Sequence, residues 1–168
     1  MKRRHFLVHI RASMTAQEKL PDLNGIDPDH HKSVLLLAAQ MQQQGYRRED
    51  PVRSTLVLLG DRWSTLILLV LEMGVWRHAE LRRVLGRLGS EERISQRVLT
   101  QKLRTLEREG LVTRHATNSV PPKVTYELTP LGEELQTFAK TIIAWSSKRS
   151  HDIVQSRKIF DELLRDSD

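Results

Sequence analysis

The segment from Ile94 to Gly110, ISQRVLTQKLRTLEREG, constrains the chain most, because as a helix it has two faces that require different partners. Leu99, Leu103 and Leu106 recur at spacings of four and three, which puts them on one helical face, and Ile94 precedes them at the helix entry. On the rest of the surface stand Gln96, Arg97, Thr100, Gln101 and Arg104, whose guanidinium, amide and hydroxyl groups can hydrogen-bond to phosphates and base edges. Ser95 reads as the N-cap and Gly110 as the C-terminal stop. Such a helix is either a solvated surface element or a recognition helix, and the surrounding sequence favours the second.

Charge is one part of that context. The 168 residues carry a formal charge of +6 and are enough for one core with extensions, too few for two large domains. Between Arg77 and Arg114 ten Lys and Arg face five Glu and no Asp, so the excess is concentrated around the amphipathic helix. The sequence holds no cysteine, which excludes a disulfide scaffold, a thiolate zinc site and a thiol switch within it. Thr65 to Val75 is apolar but interrupted by Glu72 and well short of the roughly 20 residues of a membrane span. The start, MKRRHFLVHIR, has too short an apolar stretch for a signal peptide, so a cytoplasmic protein with no membrane partner is expected.

In chain order, residues 1–29 read as an N-terminal extension, partly disordered over Met1 to Lys19, with Met14 an alternative start and LPDLNGIDP a loop. An additional helix is expected within 30–49, from His30 to Gln44, with Val34, Leu35, Leu37, Ala38 and Met41 on its apolar side. Asp27 to His31, DPDHH, raises a metal question. Adjacent histidines point in different directions and no second ligand cluster follows, so helix capping is the reading and no metal or cofactor is assigned. Pro51 to Val75 gives two helical segments across Gly60-Asp61, with Trp63 as core packing, and Arg77 to Leu85 a short helix facing Ala79, Leu81, Val84 and Leu85 inward. The connector that follows, GRLGSEER, is long for a helix-turn-helix.

After Gly110 the period changes to two. Leu111 to Thr113 and Val124 to Leu128 read as strands of a hairpin, turned at Asn118, Ser119, Pro121 and Pro122, and a hairpin directly after a recognition helix is a wing. Arg114, His115 and Lys123 lie along it, within reach of a phosphate backbone. Thr129-Pro130 then opens a helix carrying Leu131, Leu135, Phe138, Ile142 and Trp145 down one face, with Ile153, Phe160, Leu163 and Leu164 beyond. One small domain cannot cover so many apolar groups, and a symmetric dimer would. The fold class expected is mainly α with a small β-hairpin wing (α+β): a winged helix-turn-helix over 50–129, flanked by N-terminal helices and by C-terminal dimerisation helices over 130–168.

LLGDRWSTLILLVL (58–71), ELRRVL (80–85), ISQRVLTQKLRTLEREGLV (94–112) and PPKVTYELTPLG (121–132) resemble, in this order, the HxlR-type winged helix-turn-helix transcriptional regulators of prokaryotes. The resemblance implies a homodimer on a pseudo-palindromic operator in double-stranded DNA, with C-terminal and N-terminal helices at the interface. Leu35, Leu135, Phe138, Ile142, Trp145 and Phe160 are the dimerisation residues expected. It also implies that Ser95, Gln96, Arg97, Thr100, Gln101 and Arg104 face the major groove and that Lys123 lies on the wing. Many members carry Cys-Pro-Val before the first core helix; here the stretch is Asp50-Pro51-Val52, so thiol sensing does not carry over. Two alternatives stand beside this reading: a winged module that docks proteins, and a regulator responsive to a small-molecule effector in a pocket near Trp63, Trp76, Phe138, Ile142 or Trp145. An enzyme is not expected, since no Ser-His-Asp order, glycine-rich phosphate loop or ligand cluster stands out.

Overall fold

The computed structural model describes residues 21–45, 50–89, 93–120 and 122–166, and the chain divides into two compact units, residues 1–53 and 54–168. The expectations for Met1 to Lys19, including Met14 as a start, lie outside the described residues. In the first unit, helix α1 (Pro28–Gln44) opens on DPDHH by capping: the Asp27 carboxylate accepts from the Asp29 amide at 3.0 Å, and the His31 ring lies 2.8 Å from the Ile26 carbonyl. Val34, Leu35, Ala38 and Met41 are half-buried, whereas Leu37, expected beside them, is exposed.

Helix α2 (Pro51–Gly60), which enters the second unit at Ser54, and α3 (Arg62–Leu71) are bent by 87° at Asp61. Among the described residues no single helix is long and apolar enough to cross a membrane. Asp61 makes the bend a fresh helix start, its carboxylate accepting from both the amide and the hydroxyl of Ser64 at 2.7 Å. Ile67, Leu68, Val70 and Leu71 of α3 form the centre of the core with Leu81 and Leu85 of α4 (His78–Leu88) and Leu99, Leu103 and Leu106 of α5 (Gln96–Arg108). Trp63 and Trp76 pack against the margin of this core, the Arg62 guanidinium lying 4.8 Å from the Trp63 ring centre.

Two expectations about α4 are corrected. The helix runs to Leu88 and ends on Gly89, whose amide donates to the Leu85 carbonyl at 2.8 Å, so the connector begins later than GRLGSEER suggests; residues 90–92 lie outside the described ones. Ala79 is exposed, and the half-buried positions on that turn are His78 and Glu80.

Three antiparallel strands, not two, form the sheet: β1 (Trp76–Arg77), β2 (Val112–Ala116) and β3 (Val124–Leu128), in the order β1-β3-β2. Trp76 pairs with Tyr126 and Arg114 also lies opposite Tyr126, so β3 is the shared central strand. A two-residue strand shows no alternation, which is why β1 reads as the start of a helix in the sequence. At the far end the Thr117 amide donates to the Lys123 carbonyl at 2.9 Å, closing the hairpin and leaving the Lys123 side chain exposed.

Thr129 caps α6 (Pro130–Lys148), accepting from the Gly132 amide at 3.0 Å, and α7 (Ser150–Arg165) follows across Arg149. The buried stripe of α6 is Gly132, Leu135, Gln136 and Ala139, at spacings of three, one and three. Leu135 is therefore a correction to the dimerisation set, because its side chain is already consumed by the core of its own unit. Gln136 tolerates burial because its amide donates to the Glu72 carboxylate at 2.8 Å, and Lys140 pairs with the other Glu72 oxygen. One position round, Leu131, Phe138, Ile142 and Trp145 stay exposed, as do Phe160, Leu163 and Leu164 on α7, while Ile153 is half-buried.

Candidate nucleic-acid interface

Burial of Leu99, Leu103 and Leu106 fixes the roll of α5 and so decides what it presents outward. Arg97, Gln101, Arg104 and Arg108 recur at spacings of four, three and four on the opposite side and are all exposed, as is Gln96 in the first turn. Arg108 was not expected from the sequence; it continues the same stripe one turn further. No carboxylate among the described residues pairs with Arg97, Arg104, Arg108, Arg114 or Lys123, whereas Lys102, Lys140 and Arg149 all have acidic partners.

Three predicted contact residues have their polar atoms committed within the chain. The Ser95 hydroxyl accepts from the Val98 amide at 3.2 Å, so its acceptor role is the helix cap. Thr100 is half-buried, and its hydroxyl donates to the Gln96 carbonyl at 2.8 Å. Having spent its one hydrogen there, it must accept from His78 Nε2, 3.1 Å away, which puts the imidazole hydrogen on Nε2. Burial lowers the pKa of His78 and the neighbouring Arg82 lowers it further, so the ring is neutral at pH 7 and serves as a strut behind the first turn of α5. On the wing, His115 Nε2 sits 2.7 Å from the Glu127 carboxylate, so this residue is turned to its own sheet, and Arg114 and Lys123 remain as the outward cations.

Lys102 holds the helix from behind. Its ammonium is 2.7 Å from Asp61, tying α5 to the cap of α3, a pairing that spacing within α5 alone could not reveal. Burial raises the Asp61 pKa, but the hydrogen bonds from Lys102 and Ser64 and the Lys102 charge outweigh it, leaving the carboxyl below its ordinary value. A carboxyl depressed in the folded state contributes stability that is fully present above its unfolded pKa, about 3.9, and is lost as pH falls through the folded value. Urea midpoints should therefore drop below about pH 4 in the wild type, and this acid limb should flatten in Asp61→Asn. Identical acid limbs in the two proteins would exclude the Lys102–Asp61 tie as a source of stability.

An outward cationic stripe on α5, held by a leucine face, a capped start and a basal ion pair, and flanked by a basic wing, is the arrangement of a winged helix-turn-helix. The HxlR-like helix-turn-helix family model matches residues 58–153. This chain belongs to that family. Among HxlR-like relatives it is 38% identical over 96 residues to the uncharacterized HTH-type transcriptional regulator YtcD of Bacillus subtilis, covering 57% of this chain and 71% of that one. With the HTH-type transcriptional regulator YtfH of Escherichia coli it shares 34% identity over 114 residues, 67% of this chain and 86% of the other. Of the solved structures, the redox regulator HypR in its reduced form superposes with a TM-score of 0.52 at 34% identity, covering 64% of this chain and 99% of HypR. The HxlR-like fold and these relatives are those of transcriptional regulators rather than enzymes.

Proposed function

We propose that this regulator binds double-stranded DNA as a homodimer, in the cytoplasm, on a pseudo-palindromic operator. The observation that carries the reading is the exposed stripe of Arg97, Gln101 and Arg104, whose arginines have no carboxylate partner among the described residues, on a helix whose opposite face is locked in the core. Two such helices would enter successive major grooves about 34 to 36 Å apart, or a multiple of that distance. Arg97, Arg114 and Lys123 set position on phosphates; Gln96, Gln101 and Arg104 read base edges, arginine towards guanine and glutamine towards adenine. The exposed Phe138, Ile142 and Trp145 of α6 and Phe160 of α7 form the dimer face. With no cysteine in the 168 residues, any control of this chain acts through something other than a thiol of its own.

Selection of bound duplexes from a random pool tests the reading directly. Winners should share a motif repeated about a two-fold axis; winners without any common motif would overturn it. On the selected duplex, Arg104→Ala should cost roughly 1 to 3 kcal/mol of discrimination at one base pair per half-site. Lys123→Ala should instead weaken selected and scrambled duplexes alike. Equal losses for both variants on both duplexes, measured by anisotropy, would refute this division of roles.

A further inference from the structure

A cavity of about 350 Å³ lies between the end of α3, strand β3 and the first turns of α6, within the size range of small-molecule sites. Leu71 and Gln136, 2% and 3% exposed, form its floor, and Leu128 and Val75 are apolar walls. Its polar side chains are mostly acceptors: the carboxylates of Glu72, Glu127 and Glu133, and the Thr137 oxygen, whose hydrogen is donated to the Glu133 carbonyl at 3.0 Å. Lys140 pairs with Glu72, and His115 Nε2 lies 2.7 Å from Glu127, but Glu133 has no basic partner among the described residues. Gln136 points to a ligand independently of these charges. Its amide nitrogen donates to Glu72 at 2.8 Å, while its carbonyl oxygen has no donor among the described residues and yet is not sealed from solvent, which leaves it turned to the cavity.

We infer that this cavity binds a small organic cation, a protonated aliphatic amine whose N–H groups meet Glu133 and the Gln136 carbonyl and whose carbon chain lies on Leu71 and Leu128. An anion would be repelled by the three carboxylates, and a neutral apolar molecule would cover them and the Gln136 oxygen without offering a donor. Among the described residues no group of three His, Asp or Glu could hold a metal ion, so the carboxylates are too dispersed for a bare divalent cation. An aliphatic amine, with a pKa like that of lysine at about 10.4, stays charged at pH 7 and carries several donors on an apolar body. Glu127 ties the site to the wing. It is the carboxylate that holds His115 across the two strands, so an ammonium group drawing on it competes with that imidazole. The site goes beyond the DNA-binding reading and does not require it, since none of the residues of the outward α5 stripe lines the cavity.

Calorimetric titration of the DNA-free protein with 1,4-diaminobutane tests the site, with 1,4-butanediol as the uncharged counterpart and magnesium chloride as the inorganic cation. The diamine should saturate a single site; the diol and magnesium should not. Glu133→Gln should weaken diamine binding at least about tenfold, the loss of one charge-assisted contact. Glu134→Gln, the same change one residue on and outside the lining, should leave it unaltered. Thr137→Leu keeps every charge but fills the cavity, and should abolish binding. All three positions are exposed, and thermal melts confirm that the variants fold. In NMR spectra the His115 ring signals should shift with the diamine while those of His151 on α7 stay in place. No saturable binding by the wild type, equal binding of the diol or magnesium, full binding by Thr137→Leu, or equal weakening by Glu133→Gln and Glu134→Gln overturns the site. Saturable binding without any change at His115 overturns its tie to the wing. No duplex enters the titration, so failure of the operator reading leaves these outcomes as they stand, and a protein that binds its selected duplex but no diamine sinks the cavity alone.

Discussion

Gly132→Ala should unfold the winged unit far more readily than alanine at Gly60, Gly74, Gly86 or Gly110. A Cβ at this position would stand 2.0 Å from the Leu111 carbonyl oxygen and 3.0 Å from its carbon, distances that side-chain adjustment cannot relieve because the obstacle is backbone. Nor can Leu111 retreat, for its amide donates to the Leu106 carbonyl at 2.9 Å and its carbonyl accepts from the Thr129 amide at 3.1 Å. The junction is tightened further by Thr129, whose hydroxyl donates to the Gly110 carbonyl at 2.6 Å while accepting from the Gly132 amide. To admit a methyl group, α6 would have to lift from the end of α5 and the root of β2, uncovering Leu135 and Gln136. The expected loss is about 3 kcal/mol or more, against a gain of at most about 1 kcal/mol in helix propensity. Gly60→Ala supplies the comparison, since a Cβ there meets nothing within 4 Å, and its urea midpoint should stay at or slightly above that of the wild type. If Gly132→Ala melts with the wild type, the docking of α6 on Leu111 is wrong.

How much of this was legible in the sequence depends on whether a feature lives within one element or between two. The two faces of α5 follow from the spacing of Leu99, Leu103 and Leu106, and the roll they impose places Arg97, Gln101 and Arg104 outward as expected. The start of α6 was equally plain, because Thr129-Pro130 is a local cap and needs no tertiary partner. By contrast, Leu131, Leu135, Phe138, Ile142 and Trp145 read as one apolar face, yet the stripe in the core is 132, 135, 136 and 139. Pattern alone favours large apolar groups, whereas the packed face contains a glycine needed for close approach and a glutamine satisfied by Glu72, the C-cap of α3. The same limit hid the His78–Thr100 and Lys102–Asp61 contacts, which join residues 22 and 41 positions apart.

Ile142→Glu should leave the monomer folded and disable the regulator. Because Ile142 is 52% exposed, a glutamate there loses little within one chain. Phe138 and Trp145, one turn to either side, are 64% and 61% exposed, so the position lies at the centre of an apolar strip that one protomer leaves uncovered. Pairing two such strips about a two-fold axis would bring two carboxylates together in an apolar seam, a cost that no neighbouring cation of α6 offsets at that point. Dimer formation should fail at micromolar concentrations, read by light scattering, while the thermal melt of the separated chains stays cooperative. Operator affinity should then fall at least about a hundredfold, since linking two half-site contacts multiplies affinity by roughly 10² to 10⁴. Binding to a single half-site should change little, because the α5 stripe lies on a different helix from the substitution. A variant that remains dimeric and binds the full site as tightly as the wild type would sink the α6 face as the interface. A variant that is monomeric yet binds the full site undiminished would sink the two-fold reading of the operator instead.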